Sequence, residues 1–104
     1  MENIKEFFLN QLPHKIAEHP ELVRQIDAVY QFDIEDVGTW TLDLTQDGIV
    51  REGVHDQPGC VVTANAKDFA ALKDNPASLV MLFAMGKIKL SNPSLAEPLQ
   101  KLLK

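Results

Sequence analysis

The stretch Ser78-Leu79-Val80-Met81-Leu82-Phe83-Ala84-Met85 constrains this chain most, because it reads as a helix that is apolar on almost every side. It stops at Gly86 and gives way to Lys87-Ile88-Lys89-Leu90, whose alternation is that of a strand. A helix apolar all round has to be covered on all sides. The chain has 104 residues, which is one domain (residues 1–104) with a single modest core, burying roughly 65% of its unfolded surface. Little protein is left for the covering, so something else is expected to supply part of it.

Composition narrows the class. The hydrophobic fraction is 45% and the charged fraction 24%, both ordinary for a soluble globular protein. No apolar stretch reaches the ~18–20 residues of a membrane span. The start, Met1-Glu2-Asn3-Ile4-Lys5-Glu6, lacks the basic opening and long apolar segment of a secretory signal, so a cytoplasmic location is expected. A formal net charge of −5 argues against nucleic acid as a partner. It also limits membrane contact to a peripheral kind. Lys87, Lys89, Lys101 and Lys104 make the C-terminal end locally basic, which reads first as a solubilising surface. The lone cysteine, Cys60, excludes an intrachain disulfide and a Cys-rich metal site. Beside Val61 and Val62, it is expected to be a packed core thiol.

Periodicity supplies the elements. Ile4, Phe7, Phe8 and Leu12 fall on one helical face, and Pro13 is expected to end or kink that helix. Pro20 opens a second short helix that carries Leu22, Val23 and Ile26 inward. Tyr30, Phe32 and Ile34 alternate with polar residues, as do Trp40, Leu42 and Leu44, which marks strands with one wet face. Asp47-Gly48 signals a hairpin turn into a third strand near 49–52. A loop over His55-Asp56-Gln57-Pro58-Gly59 leads to a fourth strand from Cys60 to Ala64. Asn65 caps the next helix, with Asp68 in its first turn, and Asn75-Pro76 opens another, closed by Gly86. Ile88 and Leu90 make a fifth strand. Ser94 and Glu97 match a capping box. With Ser94 as cap, Pro98 would strain the opening turn of the last helix. A sheet with one polar face and this order of helices predicts a two-layer α+β domain.

The residues that usually carry chemistry form no constellation. His14 and His19 stand five apart near prolines, and His55 sits in a turn before Asp56, so none fits a zinc pattern. A Cys60–His55 pair lacks an orienting group and oxyanion donors. Glu35, Asp36 and Asp43 fall on the wet face or in loops, and the five glycines make no phosphate loop. No catalytic residue, metal or cofactor is expected. An apolar excess remains in the C-terminal helices: Phe69, Leu72, Leu79, Leu82, Phe83 and Met85, then Leu95, Leu99, Leu102 and Leu103. Each by itself is more readily core than ligand contact, although Met81 and Met85 are soft side chains that suit varied shapes.

Four blocks in order, Val29-Tyr30-Gln31-Phe32, Gly38-Thr39-Trp40-Thr41-Leu42-Asp43-Leu44, Asp68-Phe69-Ala70-Ala71-Leu72 and Met85-Gly86-Lys87-Ile88-Lys89-Leu90, resemble the sterol carrier protein type 2 domain family. The resemblance runs from about Phe8 to Leu103. It implies a mixed five-stranded sheet with helices packed on one face and a hydrophobic tunnel between them. It also implies a sterol, fatty acid or fatty acyl-CoA held in that tunnel without catalysis. The expected lining is Trp40 together with the ten apolar residues named above. The chain departs from the family at Ser91-Asn92-Pro93-Ser94, where a glycine and an Asp or Asn usually follow the last strand. It ends Leu102-Leu103-Lys104, without a Ser-Lys-Leu type signal, and is expected to be a free-standing version, monomeric or homodimeric. The alternative is an interaction or scaffold domain whose tunnel has filled in. An empty rigid cavity of roughly 300 Å³ would cost on the order of 7 kcal/mol, against a total stability of about 5–15 kcal/mol. The space is therefore expected to be filled, wet or collapsible.

Overall fold

A computed structural model describes residues 4–45 and 48–104. The first helix, α1, runs over 4–18, but not as one regular coil. It begins as Ile4–Glu6, widens into a π-helical turn over Phe7–Gln11 and resumes as Leu12–Glu18. Pro13 neither ends nor breaks it. The Leu12 N–H donates to the Phe7 carbonyl, five residues back, so the turn ahead of Pro13 is opened. A proline ring normally crowds the carbonyl four residues earlier and withholds a donor. Here it enters at the start of the resumed α segment, where the widened turn removes both objections. Helix α2, Pro20–Ile26, has its proline at the first turn and buries Val23, with Leu22 and Ile26 packed at the margin of the core.

Five strands follow the expected order: β1 Val29–Glu35, β2 Gly38–Asp43, β3 Ile49–Glu52, β4 Cys60–Asn65 and β5 Ile88–Leu90. They assemble as β3-β2-β1-β4-β5. β1 pairs parallel with β4, and the other three pairings are antiparallel, so the sheet is mixed. Tyr30, Phe32, Ile34, Trp40 and Leu42 are buried on one face, beneath the helices. Leu44 lies just past β2 yet is also buried. Thr41, expected on the wet face, is fully buried. The chain leaving β3 folds over it: the Thr41 hydroxyl donates to the Gly53 carbonyl at 2.8 Å, and the Gly53 N–H donates to Thr39. Of the hairpin signal Asp47-Gly48, Asp47 lies outside the described residues.

Asn65 caps α3, Ala66–Asp74, as expected, its side-chain oxygen accepting the Asp68 N–H at 2.7 Å. Pro76 opens a 3-10 turn, Pro76–Ser78, that leads into the six-residue α4, Leu79–Ala84. Asn75 makes no side-chain cap there; the Ser78 hydroxyl donates to the Asn75 carbonyl instead. The Ser94–Glu97 capping box does not form either. Asn92 takes the role, its side-chain oxygen accepting the Ser94 N–H and hydroxyl at the head of a 3-10 turn, Pro93–Leu95. Helix α5 is Ala96–Leu103. Pro98 is then its third residue, where an N–H would have no intrahelical acceptor anyway, so the expected strain does not arise.

Two glycines separate backbone strain from crowding. Gly86 (φ 76°) has open space where a Cβ would stand, whereas a Cβ on Gly48 (φ 77°) would meet the Ile16 side chain at 2.3 Å. Gly86→Ala is expected to cost about 1 kcal/mol of stability from the left-handed backbone alone. Gly48→Ala is expected to cost about 1–3 kcal/mol more through overpacking. Urea midpoints of the two variants read the difference directly, and equal losses would contradict the close turn-to-helix packing.

Candidate functional site

The helix-facing side of the sheet is organised by register. Trp40, Phe32, Val62 and Leu90 stand side by side across β2, β1, β4 and β5, and Tyr30 lies beside Leu42 and Cys60 one row away. Phe8, from the π turn of α1, settles onto this surface. Its ring stacks on Trp40 at 5.0 Å and lies 5.2 Å from Phe32. It also stacks on Phe69 of α3 at 5.4 Å. Phe7 completes the cluster, 5.3 Å from Phe8 and 5.8 Å from Phe69. All five rings are sealed from solvent.

Of the residues expected to line an apolar site, Trp40, Phe69, Leu72, Leu79 and Leu82 are buried in one continuous cluster, together with Leu99, Leu102 and Leu103. Leu95 is half-buried against it. Phe83 and Met85 are less covered: Phe83 is 37% exposed and Met85, just past α4, is 59% exposed, as exposed as Val80 and Met81. The expectation that every side of this helix is covered therefore fails. Leu79 and Leu82 take the inward positions, and the remaining apolar side chains of a six-residue helix have nowhere to go but out. The residues at the centre of the layer, Phe7, Phe8, Phe32 and Tyr30, were not among those expected to line it. Their signal was present in the Ile4-Phe7-Phe8-Leu12 stripe and in the β1 alternation.

Polar contacts tie the C-terminal segment across this layer. The Tyr30 hydroxyl donates to the Leu95 carbonyl at 2.8 Å. Ser91 pairs with β4, its hydroxyl accepting the Val61 N–H at 2.7 Å and its own N–H donating to the Val61 carbonyl. The Asn92 amide donates to the Gly59 carbonyl at 3.3 Å. Ser91 and Asn92 thus anchor the turn between β5 and α5. Burial pushes the Tyr30 hydroxyl well above its ordinary value, with neighbouring Cys60 adding to the rise, and it pushes the Cys60 thiol up as well. Asp43 is held low by the hydrogen bond from Thr45. Cys60 is a packed, fully buried thiol. His14 pairs with Glu18 on the exposed face of α1 at 3.5 Å. The His55 ring accepts the Gln57 N–H in its loop. Among the described residues no cluster of His, Cys, Asp or Glu could hold a metal ion, and no helix is long and apolar enough to cross a membrane.

Two clefts open on the helical side. One of about 450 Å³ is bounded by Ile16, Val23 and Leu44 with Arg24 and Asp27. Another of about 300 Å³ lies between α2 and α5, bounded by Leu22, Ile26 and Pro98 with Glu97 and Lys101. Neither is lined by Phe69, Phe83 or Leu99.

Residues 9–104 match the model of the SCP-2 sterol transfer family. The chain belongs to that family. The match takes in β1 to β5 and α2 to α5, while Phe7 and Phe8 of the aromatic cluster lie just before it. The hydroxysteroid dehydrogenase-like protein 2 of Rattus norvegicus is 39% identical over 88 residues, which are 80% of this chain and 17% of the relative. The chain thus spans about a fifth of the length of the curated relatives it matches. Among solved structures, the apo form of sterol carrier protein 2 from Yarrowia lipolytica superposes with a TM-score of 0.75 at 25% identity, covering 95% of this chain and 83% of that one. Palmitated SCP2L2 from Aedes aegypti gives a TM-score of 0.62 at 25% identity, covering 86% and 92%. The mixed five-stranded sheet with one helical layer is the fold of these SCP-2 structures.

Two substitutions test the layer. Phe8→Ala removes the ring shared by sheet and helices and is expected to cost about 3–5 kcal/mol, read by urea denaturation. Tyr30→Phe is expected to cost about 1 kcal/mol at neutral pH and to change the pH dependence. Since folding raises the Tyr30 value above its ordinary 10.0, the unfolded chain ionises first. That part of the stability is complete below pH 10 and is lost as pH climbs toward the folded value. The Phe variant should show a shallower alkaline decline, and an unchanged decline would overturn the assignment.

Proposed function

We propose that this chain is a non-catalytic lipid-binding and lipid-transfer protein that takes a sterol, fatty acid or fatty acyl-CoA between its sheet and its helices. The observation that carries the reading is the chemistry of the layer. Apart from the Tyr30 hydroxyl, committed to Leu95, and the Cys60 thiol, the one buried polar side-chain atom facing the layer among the described residues is the Trp40 indole nitrogen. Such a surface offers area to an alkyl chain or sterol body and no groups for acid–base chemistry. Family membership supports it, and so does the likeness to a solved relative described as palmitated.

The layer is packed as it stands, so a ligand needs a wall that moves. Helix α4 suits that role. It is six residues long, is held inward by Leu79 and Leu82, and is bounded by a 3-10 turn and by Gly86. In this reading Trp40, Phe69, Leu72, Leu99, Leu102 and Leu103 face the ligand with Leu79 and Leu82. Phe83, Met85 and Leu95 stand at the rim. A buried acyl chain gains about 0.8 kcal/mol per methylene, offset by association and ordering costs, which places a long chain in the micromolar range with weak selectivity for length.

Native mass spectrometry of the purified protein and titration with a fluorescent fatty acid test the proposal. Co-purified lipid or saturable micromolar binding is expected. The absence of both would reject it.

A second reading has its own observation. Ala77, Val80, Met81, Ala84 and Met85 are all exposed and fall at helical spacing on one outward stripe. That stripe suits a scaffold or homodimer in which the tunnel has filled in. Under this reading sedimentation velocity shows a concentration-dependent dimer that Met81→Glu dissolves, with no lipid bound. A monomer at all concentrations would remove it.

A further inference from the structure

The Trp40 side chain is 2% exposed, and its indole Nε1 is a buried polar atom without a hydrogen-bond partner. An orphaned buried donor is destabilising, so a site that keeps one has a use for it or has its partner elsewhere. The surroundings indicate which acceptor would fit. Trp40 and Glu52 are cross-strand partners on β2 and β3, so their side chains leave the same face of the sheet. Gly38, two residues before Trp40, leaves a gap between them. A Cβ placed on Gly38 would stand 3.9 Å from the indole nitrogen and 3.9 Å from the Glu52 Oε2, in contact with both and clashing with neither. A donor and an acceptor therefore flank one atom-sized space at the sheet edge, next to the stacked Trp40 and Phe8 rings.

From this geometry we infer that Trp40 and Glu52 form a head-group subsite for a lipid carrying a neutral hydroxyl, in preference to one carrying a carboxylate. The inference rests on the lipid-binding reading above and specifies its polar end. A hydroxyl oxygen accepts from the indole N–H while its own proton is donated to the Glu52 carboxylate. A fatty-acid carboxylate can accept from the indole but would be set against a second carboxylate, with no proton to offer it. No bond to carbon forms or breaks; the site only binds.

The test uses one chain length with two head groups, hexadecan-1-ol and hexadecanoate, delivered to the intact protein from cyclodextrin. Trp40 is the only tryptophan, so the wild-type protein gives a single indole N–H resonance in a nitrogen-15 correlation spectrum. Hexadecanol is expected to move that resonance downfield and to bind at least about fivefold more tightly than hexadecanoate. Trp40→Phe is expected to weaken hexadecanol binding about three- to tenfold, the worth of one hydrogen bond, and to move hexadecanoate less. Glu52→Gln is expected to narrow the gap between the two by admitting the carboxylate. Hexadecanol binding that leaves the indole resonance unmoved would overturn the subsite while leaving the lipid reading intact. Failure of both lipids to bind would overturn the two together. The wild-type resonance decides the matter even where Trp40→Phe does not fold.

Discussion

The two layers of this protein share an aromatic cluster centred on one ring. Phe8 is stacked on Trp40 from the sheet and on Phe69 from α3, with Phe32 against it as well. A displacement there would pass to its neighbours, because the core is packed near crystal density. The position of Phe8 in turn depends on the π turn over Phe7–Gln11. The widened turn lets α1 continue past Pro13, so that Phe7 and Phe8 before it and Leu12 and Ile16 after it all face the same core. A helix broken at Pro13 would present one pair or the other, and the sheet would lose part of the cover that α1 gives it.

The parts of the fold legible in the sequence are those where a local signal has no competitor. Alternation in β1 and β2 reports a sheet with one buried face, because a slip of one residue would expose every aromatic at once. Asn65 and Gly86 are legible for a similar reason: each is the only suitable cap at its place. The last helix is different. Asn92 and Ser94 are both good caps two residues apart, and nothing local ranks them. Asn92 prevails because its side chain serves twice, accepting from Ser94 and donating to Gly59 across the sheet. That second bond is tertiary and invisible in the sequence. Thr41 shows the same limit, since only the later return of the chain at Gly53 covers it.

For the site, composition was more legible than orientation. The apolar excess identified Leu72, Leu79, Leu82, Leu99, Leu102 and Leu103, all of which lie in the core cluster. It does not rank Phe83 and Met85, which are more exposed than Leu79 and Leu82, because a helix apolar on every side has no moment and its sequence does not say which stripe turns inward. The decision falls to packing, and packing chose the branched, compact Leu79 and Leu82. The orphaned indole of Trp40 lay beyond any sequence signal, since Trp40 reads simply as an apolar strand residue.

The uncovered stripe and the sealed layer are two faces of one constraint. An open cavity of roughly 300 Å³ would cost on the order of 7 kcal/mol, which a chain of this size cannot sustain unfilled. Without a ligand, a binding layer of these dimensions would be filled, wet or closed, and closing requires a wall that costs little to displace. A wall held by many buried side chains would be stable and immovable. One whose fully buried side chains are Leu79 and Leu82, with Phe83 partly covered and Val80 and Met81 exposed, loses about 3–6 kcal/mol of burial from the two leucines and a share from Phe83 when it lifts. An incoming chain of a dozen methylenes gains about 10 kcal/mol, which exceeds the cost of lifting the wall and leaves the remainder to set against association. On this argument the exposed face of α4 is what a small domain has to tolerate if its core is also to be its binding site.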